Sequence, residues 1–103
     1  MKMRYVSING DVATVNVQGR FDLLHTAEVM PEIEQAFGMG VTKVHVDFSG
    51  TTYIDSSAIR DLGKLYRRVK AANFSADHAT GDVYAALYAA KLDTLWNLES
   101  PNE

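Results

Sequence analysis

The chain changes its period at one point. Residues Tyr53-Ile54 close an extended, β-branched segment, Asp55-Ser56-Ser57 interrupts it, and from Ala58-Ile59 the apolar residues recur as on a helix. Such a strand-to-helix junction places a serine hydroxyl at a helix N-terminus. Backbone N–H groups there lack intrahelical partners and the helix dipole is positive, so a phosphate on the serine would be tolerated electrostatically. A plainer use of the same residues is capping by Ser56 or Ser57, since Ser and Asp are favoured caps.

The other periodic segments build a frame around this junction. Tyr5–Ile8 reads as a strand, Asn9-Gly10 as a hairpin signal, and Ala13–Gln18 as an alternating, half-buried partner strand ended by Gly19. Arg20–His25 reads as a connection. Thr26 is a candidate helix cap, with Met30, Ile33 and Phe37 on one face of the helix and Gly38 and Gly40 ending it. Pro31 implies a kink or a helix that effectively begins there. Lys43–Phe48 alternates with Val44, Val46 and Phe48 on one face, and Ser49–Thr52 is a turn.

The helix after Ser57 runs to about Ala71 and carries Ile59, Leu62, Leu65, Tyr66 and Val69 as its apolar stripe. Phe74–Ala79 is a short strand. A third helix from Gly81-Asp82 buries Val83, Ala86, Leu87 and Ala90, and Leu95–Leu98 is a last short strand or an irregular cover. The order is β-β-α-β-α-β-α with an optional final strand. It predicts an α/β fold whose mixed sheet opens with a hairpin and continues through parallel βαβ units with right-handed crossovers. Strand alternation implies that one sheet face is covered less than the other, with three to four helices mainly on one side.

Composition narrows the function classes. The 103 residues suffice for one domain, expected over 1–99 with a loose tail at 100–103. A formal charge of −3 argues against non-specific binding to nucleic acid or acidic membranes. The absence of cysteine removes disulfides, thiolate zinc sites and thiol nucleophiles. No apolar run reaches the ~20 residues of a membrane-spanning helix and no signal-peptide pattern opens the chain, so a cytoplasmic protein without direct membrane insertion is expected.

Specific chemistries fare poorly. Ser56 as a nucleophile would need a base from His25, His45 or His78, but Ile54 and Ala58 stand where a nucleophile elbow has glycines. His25 with Asp22 is the one local pair for a metal, which reads as a polar loop, so neither a metal nor a cofactor is expected. No phosphate-cradling glycine loop is present. The stripe Arg60, Lys64, Arg67, Arg68, Lys70 reads as a solvated helix face or a partner surface.

Over roughly residues 4 to 98 the chain resembles the STAS domains, the fold of bacterial anti-sigma factor antagonists. The resemblance rests on the hairpin, on Gly19-Arg20-Phe21-Asp22 with Thr26-Ala27, and on Val44–Phe48 leading to Tyr53-Ile54-Asp55-Ser56-Ser57. The late helix around Leu87 adds to it. It implies a non-enzymatic switch in which a partner serine kinase phosphorylates the serine after the Asp, here Ser56, and a PP2C-type phosphatase restores it. The unphosphorylated form would bind an anti-sigma factor or another effector, with output in transcription, biofilm or motility. The implied partner surface comprises Asp22, Asp55, Ser56, Ser57, Ala58 and Arg60. Ala58 and Arg60 replace glycines of the family pattern, Arg20 replaces an acidic residue, and Ala72-Asn73 replaces a Gly-Gly. The same fold also serves as an accessory subunit of lipid or anion transporters, in which Ser56 would be a cap.

Overall fold

The Asn9-Gly10 signal does produce a hairpin. In the structure, a computed structural model that describes residues 3–101, strands β1 (Val6–Asn9) and β2 (Val12–Val15) pair antiparallel with Asn9 opposite Val12. Gly10 therefore takes the first central turn position, where its φ of +62° is sterically free. A short strand β3 (Gly19–Phe21) follows, then helix α1 (Leu23–Gly38), strand β4 (Lys43–Asp47) and strand β5 (Thr51–Ile54). Helix α2 (Ser56–Val69), a 3₁₀ turn (Ala71–Asn73), strand β6 (Phe74–Asp77), helix α3 (Gly81–Ala89) and the short helix α4 (Leu92–Leu95) complete the chain.

The sheet is mixed, with order β1-β2-β4-β6, and only the β1/β2 pair is antiparallel. Along each strand alternate residues are buried: Val6, Ala13, Val15, Val44, Val46, Phe74 and Ala76. Helix α1 packs on β1 and β2, and α2 on β4 and β6. Their buried residues, Val29, Ile33 and Ala36 on α1 and Ala58, Leu62, Leu65 and Val69 on α2, fill the space above the sheet. The residues between the buried ones, among them Thr14, His45 and Ser75, face the other side.

Several sequence expectations change. Arg20–His25 is not a loop: β3 pairs in parallel with β5 as a second, two-stranded sheet, and α1 starts at Leu23. The expected turn at Ser49–Thr52 is correspondingly shorter, because Thr51 and Thr52 belong to β5. The cap of α1 is Asp22, whose carboxylate accepts from the His25 N–H at 3.2 Å. Thr26 turns inward and is buried. Pro31 neither starts nor interrupts the helix, which continues through it and lacks only the bond to the Ala27 carbonyl. The inward face of α1 is accordingly rotated, with Met30 and Phe37 at its margin instead of its centre. Finally, Leu95–Leu98 is the end of α4 and the turn after it. Trp96 is buried there against Phe74, with ring centroids 5.0 Å apart. On α3, Ala90 lies past the helix end and is exposed. Of the expected tail, Asn102 and Glu103 lie outside the described residues, as do Met1 and Lys2 at the other end.

A buried carboxylate anchors the first strand. Glu32 on α1 accepts hydrogen bonds from the backbone N–H groups of Arg4, Tyr5 and Val6 at 2.9–3.1 Å. These donors sit at the entry to an edge strand and have no second partner strand to satisfy them. Sequence reading missed Glu32, because a lone Glu on a helix reads as solvated.

Candidate functional site

Two helix N-termini meet at one side chain. Parallel pairing of β3 with β5 ends both strands side by side, with Phe21 opposite Ile54, so the helices that follow begin next to each other. Asp55 exploits this arrangement. Its Oδ1 accepts from Ala58 N at 3.0 Å, capping α2, and its Oδ2 accepts from Leu23 N at 3.0 Å, the first residue of α1. One carboxylate thus satisfies unpaired donors of two helices. Asp22 completes the junction by capping α1.

This arrangement rules out one of the two uses of the serines. Neither Ser56 nor Ser57 is the cap, because Asp55 is. Ser56 is the first helical residue and exposed, and Ser57 is partly buried behind it. Among the described residues no hydrogen bond engages the Ser56 hydroxyl. It stands free at a position where two helix dipoles point their positive ends. Ala58, expected on the partner surface, is fully buried: its methyl group faces the core, and only its N–H, held by Asp55, belongs to the junction.

The charges around Ser56 are set by neighbours. The Arg20 guanidinium lies over the Tyr53 ring at 4.1 Å and 3.8 Å from the Asp22 carboxylate. The Asp22 carboxyl is held below its usual 3.8 chiefly by hydrogen bonds from the His25 ring and backbone, with a smaller contribution from Arg20. Arg60 is exposed and 3.8 Å from Asp61. Asp61 also accepts the Thr26 hydroxyl at 2.9 Å, which ties α1 to α2 directly beneath the junction. Arg68 leaves the basic stripe to pair with Glu34 and stack on Phe37 of α1. That stripe is therefore partly a helix–helix contact.

Sequence reading also missed Leu23 and Leu24, 57% and 75% exposed at the start of α1. With the half-exposed Tyr53 they put apolar surface at the junction. Their signal was two adjacent leucines after a cap residue, hidden by reading the segment as a loop.

Two of the three histidines sit elsewhere. His25 is bonded to Asp22. His45 and His78 lie together on the uncovered sheet face with Asp47 and Asp77, so among the described residues no histidine is hydrogen-bonded to either serine. The Asp77 carboxylate, 3.0 Å away, with a smaller contribution from the charge of Asp47, raises the His78 imidazole above its usual 6.5. Burial opposes ionisation of Asp47, but bonds from the Ser49 N–H and hydroxyl and the charge of His78 outweigh it and lower its pKa.

The comparisons agree with this architecture. The family model described as "Mlab, STAS domain" matches residues 5–98. An anti-sigma factor antagonist from Mycobacterium paratuberculosis superposes with a TM-score of 0.76 at 16% identity, over 94% of this chain and 85% of that one. The anti-sigma factor antagonist SpoIIAA in its unphosphorylated form gives 0.71 at 14% identity, over 92% and 86%. The phosphorylated form of SpoIIAA, a Bacillus cell fate determinant, gives 0.71 at 14%, over 94% and 91%. No curated protein sequence matches the chain. The fold is thus that of the anti-sigma factor antagonists. The chain belongs to the STAS domain family that bears the Mlab description. Among the described residues, no helix is long and apolar enough to cross a membrane.

Proposed function

We propose that the chain is a partner-switching regulator whose binding surface is the α1/α2 junction and whose switch is reversible phosphorylation of Ser56. The observation that carries this reading is the free, exposed Ser56 hydroxyl at a helix start already capped by Asp55. A serine needed for capping could not be modified without loss of the cap, whereas Ser56 can. A fold relative, SpoIIAA, occurs in both unphosphorylated and phosphorylated forms, which supports the same chemistry here.

The mechanism is electrostatic and steric. A partner seated on Leu23, Leu24 and Tyr53 buries the rim of Ser56. A phosphate adds about −1.5 to −2 charges and three acceptor oxygens beside Asp55 and Asp22. The two helix N-termini and Arg20 accommodate that charge in the free protein, so the fold persists. In the complex the same group must be desolvated and overlaps the partner. Loss of ~3 kcal/mol of binding weakens the complex about a hundredfold, enough for a two-state output without a conformational change. The partners are an anti-sigma-factor-like serine kinase, a PP2C-type phosphatase that restores the hydroxyl, and an effector controlling transcription, biofilm or motility. Co-precipitation from the native cell with Ser56→Ala and Ser56→Asp chains tests this. The Ala chain retains the partner and the Asp chain loses it, and equal retention by both overturns the reading.

A further inference from the structure

The uncovered sheet face carries a group of side chains that the regulatory reading does not use. Parallel register sets Asp47 beside Asp77 and His45 beside Ser75 on β4 and β6. His78 follows β6 with a left-handed φ of 62°, and its Nδ1 comes within 3.0 Å of Asp77 Oδ1 and 3.2 Å of Asp47 Oδ1. His45 Nε2 lies 3.1 Å from the same Asp77 oxygen. One ring nitrogen and two carboxylate oxygens therefore converge, and His45 approaches the group at Asp77 alone. The candidate ligand atoms of Asp47, Asp77 and His78 all lie within 4.8 Å of one another.

Three features distinguish this group from a chance cluster of surface charges. The Asp77 Oδ1 atom is buried and receives no hydrogen bond of acceptable geometry, although two imidazole nitrogens approach it. The candidate ligand atoms of Asp47, Asp77 and His78 are also close enough together to share one ion after a small adjustment. A tetrahedral zinc ion with bonds of 2.0–2.2 Å sets its ligand atoms about 3.3–3.6 Å apart, a few tenths of an ångström beyond the 3.0–3.2 Å from His78 Nδ1 to the two carboxylates. Lastly, one ligand side chain, Asp47, and the neighbouring His45 are oriented from outside the cluster. Ser49 donates its N–H and hydroxyl to Asp47 Oδ1 at 2.9 and 2.7 Å, and the Ser75 hydroxyl holds His45 Nδ1 at 2.6 Å, leaving Nε2 toward Asp77. Such supporting bonds orient metal ligands. A cavity of about 270 Å³, lined in part by Asp77, His78, Asn97 and Glu99, adjoins the cluster and gives an ion access.

We propose that Asp47, Asp77 and His78 form a binding site for one divalent transition-metal ion of the zinc class, with water completing the coordination. Imidazole with carboxylate oxygen suits Zn²⁺, Co²⁺ or Ni²⁺, whereas Mg²⁺ and Ca²⁺ prefer all-oxygen sets. The ion neutralises two carboxylates and joins the ends of β4 and β6 on the face opposite α1 and α2. The competing account is a purely ionic cluster in which protonated His78 bridges the two aspartates.

Titration of the untagged full chain with Co²⁺ at neutral pH, followed by visible absorption, and with Zn²⁺ by calorimetry separates the two. One equivalent binds, with ligand-field bands of a nitrogen- and oxygen-ligated Co²⁺ ion. Asp77→Asn and His78→Ala each weaken binding by about tenfold or more, and His25→Ala leaves it unchanged. Circular dichroism establishes that each variant is folded. As a second measurement, Zn²⁺ raises the melting temperature of the wild-type chain and not that of Asp77→Asn. Absence of saturable binding to the wild-type chain, or equal affinity in the wild-type and substituted chains, overturns the proposal.

Discussion

Glu32 and Asp55 solve the same problem in two environments. Each is a carboxylate that collects several backbone N–H groups: Glu32 from the entry to β1, and Asp55 from the distant start of α1 and from its own helix α2. Glu32 is 5% exposed and serves the fold alone. Asp55 is partly exposed, beside a hydroxyl that nothing else holds. The comparison teaches where modification is tolerated. At the Glu32 clamp the buried Val6 N–H would be orphaned by a change, whereas at the exposed one water can replace what is lost, so a switch can be sited next to it.

Substitution at the buried clamp has the largest expected effect on stability. Glu32→Ala removes the shared acceptor of three N–H groups, of which that of Val6 is buried, and costs about 2–4 kcal/mol, read from the urea unfolding midpoint. Glu32→Gln, which keeps one acceptor oxygen, costs less. Asp55→Ala removes two bonds in a wetter place and costs about 1–2 kcal/mol. If the two alanine variants unfold at the same urea concentration, burial does not separate the two clamps. Thr26→Val deletes the hydroxyl bond to Asp61 between the helices and costs about 1 kcal/mol by the same measurement.

Asp22 sharpens the comparison through pH. Its pKa is lower in the folded chain than the ordinary 3.8, so the folded state favours the ionised form. That contribution is complete above the unfolded value and disappears as pH falls through the folded one. The stability difference between wild type and Asp22→Asn is therefore flat above about pH 5 and shrinks in more acid solution. Leu24→Ser has the smallest effect on stability, because the side chain is 75% exposed. It nevertheless weakens the partner complex about tenfold in a direct binding assay, as loss of an apolar contact at an interface does.

The parts of the molecule legible in the sequence are those carried by contiguous residues. The hairpin, the apolar stripe of α2 and the Asp55-Ser56-Ser57 junction each depend on neighbours in the chain. Helix α1 was misplaced because Asp22 and Thr26 are both good caps, and only the pairing of β3 with β5 selects Asp22. Glu32 and the Asp61–Thr26 bond join residues 26–35 positions apart, so no local pattern reveals them. The same holds for the sheet-face cluster. His45, Asp47, Asp77 and His78 read as unrelated polar positions, and the parallel register of β4 with β6 brings them together.

The central claim is that Ser56 modifies binding and leaves the fold intact. The direct measurement is the dissociation constant of the isolated native partner for the unmodified chain and for the same chain phosphorylated at Ser56, with melting temperatures of both. A loss of affinity of about a hundredfold with an unchanged melting transition is the predicted result. Equal affinity of the two forms, or loss of affinity accompanied by unfolding, would contradict it.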